Sequence, residues 1–540
     1  MTFHNHSKQI VEDFLGTVAY VDDLIFSTKK EVQPGIIPFT GTMREAVVSS
    51  EITEKIEQNI PKQLVPNIDP LVFTNAFIEK GIHCALLELS DDKSNIESIK
   101  KTLKKSDVII LDWQMHNDLG KCSAELIKFM LTEDKVTSLS LRLLVIYTDQ
   151  PNYNTLITEN LISIFDELQI KYTLNSDVEI QSGHTKIVVL QKPKINTKED
   201  GKVSGEELPE RIIEEMTMLT EGLVSNTALK AVSVIRRNTH NLLGIFNKGL
   251  DSAYLAHRSL LPTPDDAEPL MISSIVDSMN SILTYSNCIS NCNYEQIEKW
   301  FDSNSYADKE IVIVKKTNKV NVNDEERKAW LKKGSEEFTK YILAKNGKQP
   351  LTDSNYENYE KHDLLKNSTD CFITENSNCS EEFAIITHHK SNLMSQAYIP
   401  YLTLGAVLQD IADGKYYLCI QQRCDSVRIK ETEIRNFLFL PIEEKGSFPI
   451  IIINSEGVYL TLKVNATNCH SLLIKQFSQT KNGIIEAINE TGNFYFNDTN
   501  DTKYKWILDL KESHAQRIAN KFAAQLSRVG LDESEWLRRN

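Results

Sequence analysis

The chain has 540 residues, of which 41% are hydrophobic and 25% charged, and its formal net charge is −15. This length predicts several domains, and the acidic balance argues against broad binding to nucleic acid or anionic lipid. No apolar run approaches the roughly 20 residues that span a bilayer, and no signal-peptide pattern opens the chain. We therefore expect a cytoplasmic protein with neither a membrane nor a nucleic-acid partner. The nine scattered cysteines favour free thiols over disulfides or a metal site.

Residues 1–195 alternate strand and helix patterns, which is typical of an α/β domain with a parallel sheet. The strand patterns are rich in Val, Ile and Leu with little alternation, as burial on both faces requires. Strands are predicted at 17–22, 83–89, 107–112, 141–148 and 185–192, and helices at 70–80, 95–105, 122–131 and 155–168. A long insert, residues 24–66, follows the first strand and contains a predicted helix at 43–60. Residues 170–184 are predicted to add a hairpin before the last strand.

The rest of the chain contains several segments with different sequence patterns. Its predicted parts are a polar linker at 196–210, a helical region at 211–350, a polar surface loop at 351–380, and a β-rich α+β domain at 381–540 closed by a helix near 511–528. No helix-turn-helix pattern with a basic recognition helix is found, and no known catalytic motif is recognised. The sequence thus predicts neither a DNA-binding module nor a separate enzyme domain.

Polar side chains stand at the ends of four predicted strands of the first domain. Asp22 and Asp23 end the first strand, Asp112 ends the third, Thr148 the fourth, and Lys192 the last. Because ligands of open α/β sheets bind outside the carboxyl ends of the strands, we expect these side chains to share one crevice.

This set of side chains predicts a phosphoryl-accepting site. Asp112 would be the nucleophile and become an acyl phosphate, with a phosphohistidine of another protein as the donor. Asp22, Asp23 and Asp112 offer the oxygen ligands that Mg²⁺ prefers. Lys192 would neutralise one phosphoryl oxygen, and Thr148 would offer its hydroxyl to another.

The first third of the chain resembles the receiver domain of two-component response regulators. The resemblance is carried by strand-end residues in the family's order: Asp22, Asp23, Asp112, Thr148, and Lys192 followed by Pro193. It implies a flavodoxin-like fold with five parallel strands in the order 2-1-3-4-5, a cis Lys192–Pro193 bond, and a sensor histidine kinase as partner. It also implies that the backbone carbonyl of Gln114 is a further Mg²⁺ ligand.

Three features depart from that family's pattern. Asp149 follows Thr148 where a small residue is usual, and Val189 occupies the position of an aromatic switch residue. The insert at 24–66 is foreign to ordinary receivers. These departures bear on how the phosphoryl group is reached and on how phosphorylation is signalled.

The long insert and the large C-terminal part are similar to receiver-bearing proteins of Detocs, a bacterial two-component anti-phage defence system. In that system a kinase phosphorylates a nucleotide-degrading effector, and a separate receiver protein, the B component, is a phosphate sink. No phosphorylase domain is recognised in this chain, so the resemblance implies the sink, with a receiver-bearing effector as a companion. The alternative is an effector enzyme whose C-terminal half is activated by receiver phosphorylation.

Overall fold

The computed structural model describes most of the chain, which divides into two compact units. One unit comprises Met1–Lys309 and Asn321–Tyr356, and the other comprises Glu310–Val320 and Glu357–Asn540. The described residues are 1–26, 68–137, 140–151, 153–193, 200–304, 309–314, 318–345, 372, 378–390, 398–431, 433–454, 456–478 and 483–526. The helix predicted at 43–60 and nearly all of the loop predicted at 351–380 lie outside these ranges.

The first unit contains a sheet of seven described strands in the order β2-β1-β3-β4-β7-β6-β5. The strands are β1 Thr17–Asp22, β2 His83–Glu88, β3 Val108–Leu111, β4 Arg142–Thr148, β5 Thr173–Ser176, β6 Glu179–Ser182 and β7 Thr185–Gln191. Five of them pair in parallel, in the order expected for a receiver. The hairpin of β5 and β6 joins the β7 edge in antiparallel fashion, so the extra hairpin predicted at 170–184 is confirmed.

Helices cover both faces of this sheet because its strands are apolar on both sides. The helices are α1 Phe3–Phe14, α2 Pro70–Glu79, α3 Ile96–Leu103, α4 Lys121–Thr137, α5 Ile162–Glu167 and α6 Leu208–Thr220. Helices α3, α4 and α5 share one apolar core with the sheet, and α1, α2 and α6 share the other. Helix α1 had no counterpart in the sequence prediction, and α6, which begins within the predicted linker at Leu208, completes this face.

The rest of the first unit is mainly helical. It contains α7 Leu223–Ile245, α8 Asp251–Leu260, α9 Ala267–Tyr285, α10 Tyr294–Ser303 and α11 Asp324–Lys345, the last of which is broken by a kink at Gly334. Two paired strands, β8 Lys309–Val314 and β9 Asn318–Val322, fall mostly within the segment Glu310–Val320 of the second unit. They interrupt the region predicted as helical, since alternating Ile and Val favour an extended chain. No helix within the described ranges is long and apolar enough to cross a membrane.

The second unit is built on an antiparallel sheet with apolar cores on both faces. Its strands are β10 Ala406–Asp410, β11 Tyr416–Cys419, β12 Ile434–Glu443, β13 Phe448–Ile453, β14 Tyr459–Val464, β15 Leu473–Ser478, β16 Ile488–Glu490, β17 Asn493–Asn497 and β18 Lys503–Asp509. Helix α12, Cys379–His388, precedes the sheet. The predicted closing helix is α13, Glu512–Leu526, whose Ile518 and Phe522 are buried in one of the cores.

One expectation about the backbone is wrong. No cis peptide bond occurs among the described residues, so the Lys192–Pro193 bond is trans. The trans chain still positions Lys192, because its backbone N–H donates to the Thr148 carbonyl at 2.8 Å and continues the ladder between β4 and β7.

Candidate metal centre and active site

The parallel ladder brings the predicted site residues to one edge of the sheet. Val21 of β1 is in register with Leu111 of β3, so Asp22 and Asp112 follow at the same level. The Asp112 backbone N–H donates to the Val21 carbonyl at 2.9 Å and extends this pairing. Backbone hydrogen bonds therefore fix the relative positions of residues that are far apart in sequence.

Three carboxylates meet at this edge. Asp22, Asp23 and Asp112 each offer an oxygen, and these oxygens lie within 4.8 Å of one another. Asp22 and Asp112 are buried, whereas Asp23 is partly exposed. No second group of three such metal ligands occurs in the described parts of the chain. A compact set of oxygen ligands suits Mg²⁺, and the residues present fit that ion.

Lys192 is the cation of the site. Its Nζ lies 3.2 Å from Asp112 Oδ2 and 3.7 Å from Asp22 Oδ2. The ammonium also lies 5.9 Å from the centroid of the Tyr147 ring. Because Lys192 is almost fully buried, its charge acts on Asp112 with little screening by water.

Thr148 and Gln114 are both hydrogen-bonded to Gln150, in the loop after β4. Thr148 is fully buried at the end of β4, and its Oγ1 accepts the Gln150 backbone N–H at 3.3 Å. The Gln114 side-chain oxygen accepts from the Gln150 amide, and the Gln114 amide donates to Asn117 at 3.5 Å. The roles of Thr148 and of the Gln114 backbone carbonyl stay predictions.

The electrostatics of the site favour a bound cation. Burial raises the pKa of Asp112 to about 7, and repulsion from Asp22 and Asp149 adds to this rise while Lys192 opposes it. Burial also raises the pKa of Asp23, against a hydrogen bond from the His116 backbone that lowers it. The carboxylates crowd negative charge into a site of low dielectric constant, which a divalent cation would relieve.

Tyr20 and His116 support the carboxylates, and neither was predicted from the sequence. The Tyr20 hydroxyl donates to Asp22 Oδ2. Tyr20 precedes Asp22 by two residues on one strand, so alternation of side chains would have placed them on the same face. The His116 backbone N–H donates to Asp23 Oδ2 at 2.6 Å. Its position depends on a loop with positive φ, for which the sequence offered no signal.

The loop between β3 and α4, together with Ser123 in the first turn of α4, holds the backbone of Asp112 in place. Ser123 Oγ donates to the Asp112 carbonyl at 2.5 Å, and Asp118 accepts the Gly120 backbone N–H at 2.9 Å. Gly120 has φ +84°, and a Cβ there would lie 2.2 Å from the Trp113 ring. Only glycine meets both conditions, so Gly120 is required for the loop to close over Trp113.

The departures from the receiver pattern have clear positions. Asp149 is exposed beside the buried Thr148, and its charge contributes to the raised pKa of Asp112. Val189 is buried in the core shared with α4. Position 189 therefore presents no aromatic ring that could move between the site and the surface.

The comparisons with known proteins agree with this geometry. A family model described as "Response receiver domain" matches residues 14–197. The searches of curated proteins and of solved structures each gave no match. The matched range contains the whole seven-stranded sheet and all the predicted site residues. Residues 14–197 thus form a response receiver domain, the phosphoryl-accepting module of response regulators.

Proposed function

We propose that this chain is a response regulator that accepts a phosphoryl group on Asp112 from a sensor histidine kinase in the presence of Mg²⁺. One observation carries the proposal: the Lys192 ammonium lies 3.2 Å from the Asp112 carboxylate, inside a cluster of three carboxylates. A buried acid beside both a lysine and a metal-type ligand set is suited to taking up a phosphoryl group and neutralising its charge.

The residues of the site divide the chemistry among themselves. An ionised Asp112 oxygen attacks the phosphorus, the P–N bond to the kinase histidine breaks, and that imidazole regains a proton from water. Lys192 neutralises one phosphoryl oxygen, and the Thr148 hydroxyl donates to another. Asp22, Asp23 and Asp112 would hold Mg²⁺, which supplies further positive charge to the phosphoryl oxygens when bound. Tyr20 holds Asp22 through its hydrogen bond.

The test is phosphorylation of the full chain by a small phosphoryl donor such as acetyl phosphate with Mg²⁺. We expect one acid-stable, base-labile phosphoryl group on Asp112, no labelling of Asp112→Asn, and no labelling after chelation of Mg²⁺. Lys192→Ala should slow labelling by roughly 100-fold or more. Asp177→Asn, in an exposed turn of the β5–β6 hairpin, is the matched control and should label normally. Equal labelling of wild type and Asp112→Asn would refute the proposal.

We further propose that the chain is a cytoplasmic phosphate sink in an anti-phage signalling pathway, without catalytic output of its own. The support is the resemblance of its layout to such receiver proteins. With a cognate kinase and a receiver-bearing effector, wild type should lower effector phosphorylation, and Asp112→Asn should not. If the phosphorylated chain itself consumes nucleotides, the effector-enzyme alternative is correct instead.

A further inference from the structure

Asp22 is a buried carboxylate with a protein donor at each of its two oxygens. Its Oδ1 accepts the Leu24 backbone N–H at 3.0 Å, and its Oδ2 accepts the Tyr20 hydroxyl. The Asp22 side chain has no exposed surface, so donors from the protein take the place of bulk water. A carboxylate that is held at both oxygens cannot turn without breaking a hydrogen bond. Leu24 and Tyr20 therefore fix the direction in which Asp22 faces the site.

Aromatic neighbours fix the ring of Tyr20. The ring is fully buried, and its centroid lies 4.9 Å from that of Phe73 in α2 and 6.5 Å from that of Tyr147 in β4. Tilted and edge-on aromatic pairs at these distances are favourable beyond the burial of their area. Tyr20 and Asp22 are also two residues apart on β1, so their side chains leave the strand on the same face. The hydroxyl is thereby directed at Asp22 before any metal or phosphoryl group binds.

The Asp22 oxygen that accepts the Tyr20 hydroxyl is also within reach of Lys192. The Lys192 Nζ lies 3.7 Å from Asp22 Oδ2 and 3.2 Å from Asp112 Oδ2. Both carboxylates and the ammonium are buried, and charges interact strongly where water is excluded. A buried ammonium between two carboxylates pairs more closely with one of them when a neutral donor satisfies the other. The Tyr20 hydrogen bond consequently leaves Asp112 as the closer partner of Lys192.

We propose that Tyr20 is a positioning residue that keeps Lys192 beside Asp112, because its hydroxyl supplies the hydrogen bond that Asp22 would otherwise take from the ammonium. This inference rests on the phosphoryl-accepting function proposed above. The hydroxyl is suited to the task since it is neutral and brings no positive charge that would compete with a divalent cation for Asp22. Lys192 then stays available for an oxygen of the incoming phosphoryl group, and Asp22 stays turned toward the metal.

The first test is the rate at which acetyl phosphate labels the full chain at saturating Mg²⁺. Tyr20→Phe keeps the ring and removes only the hydroxyl, and it should slow labelling about 10-fold because Lys192 is drawn toward Asp22. In the Lys192→Ala background, the same substitution should cause no further loss, since no ammonium remains to be drawn away. Losses that multiply in the double variant would show that Tyr20 acts by another route and would overturn the proposal.

The affinity of the unphosphorylated chain for Mg²⁺ is a second readout, which calorimetry measures without any phosphoryl transfer. Tyr20→Phe should raise the dissociation constant of Mg²⁺ about 10-fold or more, because Asp22 loses a donor that orients it and gains an ammonium that competes with the metal. If the hydroxyl only stabilised the fold, the folded variant would bind Mg²⁺ as the wild type does. That result would overturn the proposal.

Tyr504→Phe is the matched control. The Tyr504 hydroxyl also donates to a buried carboxylate, that of Asp498 at 3.2 Å, but in the second unit, whereas the three carboxylates of the metal centre belong to the first. Its loss should change neither the affinity for Mg²⁺ nor the labelling rate. If the wild type is labelled on Asp112 and Tyr20→Phe behaves like Tyr504→Phe, this inference fails while the proposed function stands. An unlabelled wild type would instead refute the proposed function, and this inference with it.

A further variant covers the case in which Tyr20→Phe does not fold. Combining it with Asp22→Asn removes the buried charge that would lack a donor, so this double variant should fold. It should be labelled at the same rate as Asp22→Asn alone, because the charge that competes for Lys192 is gone. A rate clearly below that of Asp22→Asn would mean that the hydroxyl acts on the site without Asp22, which would overturn the proposal.

Discussion

Asp112 is the residue on which the chemistry depends, and its environment makes its charge costly. The carboxylate is buried, close to Asp22, and compensated by Lys192 at 3.2 Å. The acid thus gains a proton more readily than an exposed aspartate, until a cation or a phosphoryl group changes the balance. The reactivity of Asp112 and the stability of the folded protein should therefore both depend on pH and on bound metal.

The Asp112→Asn substitution should stabilise the metal-free fold at alkaline pH. The pKa of Asp112 is raised to about 7 in the folded state from an ordinary value of 3.8, so folding binds a proton between these values. The stability that this proton provides is lost as pH rises from about 4 through about 7. We expect a gain of about 2–4 kcal/mol for Asp112→Asn at pH 8, shrinking toward pH 5, in chemical denaturation with chelator. Asp177→Asn should show no such trend, and a constant difference at all pH values would contradict the expectation.

The affinity for Mg²⁺ should rise with pH, whereas the stability of the metal-free fold should fall. The ion needs an ionised Asp112, so the proton must leave before the metal binds. Because the pKa of Asp112 is about 7, calorimetry should give affinity that tightens about tenfold per pH unit below pH 7 and levels off above it. A pH-independent affinity between pH 5.5 and 7 would show that Asp112 is not a ligand.

At the scale of elements, the β3–α4 loop and helix α6 have the most specific requirements. The loop depends on Gly120, which packs against Trp113 in a left-handed conformation. Helix α6 is held to β7 by a buried ion pair, in which Lys186 Nζ lies 2.7 Å from Glu215 Oε2. The loop contacts the sheet beside the strand ends that carry the site residues. Helix α6 packs on the opposite face of the sheet.

Gly120→Ala should be far more damaging than a comparable glycine substitution. Gly81 also has positive φ, at +72°, but a Cβ there meets nothing within 4 Å. We expect Gly81→Ala to cost about 1 kcal/mol from backbone strain alone. Gly120→Ala should cost about 2 kcal/mol more, because Trp113 must move. Urea denaturation of both variants measures the difference, and equal costs would mean that the contact with Trp113 is easily relieved.

The Lys186–Glu215 pair should reveal the difference between breaking and replacing a buried ion pair. Glu215→Met leaves Lys186 charged in the core with only the partly exposed Glu179 at 3.1 Å, at a cost of about 3–5 kcal/mol. The double variant Lys186→Met with Glu215→Met should recover most of that loss. Denaturation midpoints of the wild type, of the single variants Lys186→Met and Glu215→Met, and of the double variant test this, and an additive double variant would contradict it.

At the scale of the whole molecule, the chain contains two compact units with separate apolar cores. We expect two calorimetric unfolding transitions, of which Mg²⁺ raises only the one belonging to the unit that contains Asp112. At 100 times the dissociation constant the ion should add about 2.7 kcal/mol to that transition. Asp112→Asn should abolish the shift, and a shift of both transitions would show that the units unfold together.

The sequence by itself determined the α/β class, the five parallel strands and four strand-end residues that the structure brings together: Asp22, Asp23, Asp112 and Lys192. These features can be predicted because each one depends on a few consecutive residues. Short apolar runs indicate buried strands, and the residue that ends each run, Asp22, Asp112, Thr148 or Lys192, indicates the chemistry. The β-rich character of the C-terminal part and its closing helix were also predicted from short apolar patterns, whereas the antiparallel pairing of its strands was not.

Only the tertiary structure decided which distant groups support the site and which surfaces stay uncovered. The His116 contact to Asp23, the burial of Glu215 against Lys186 and the trans Lys192–Pro193 bond depend on long-range packing or loop geometry. Whether an apolar helical residue becomes core or surface, as at Ile272, depends on which neighbours the fold supplies. Periodicity records that a face is apolar, but only the assembled chain shows whether anything covers it.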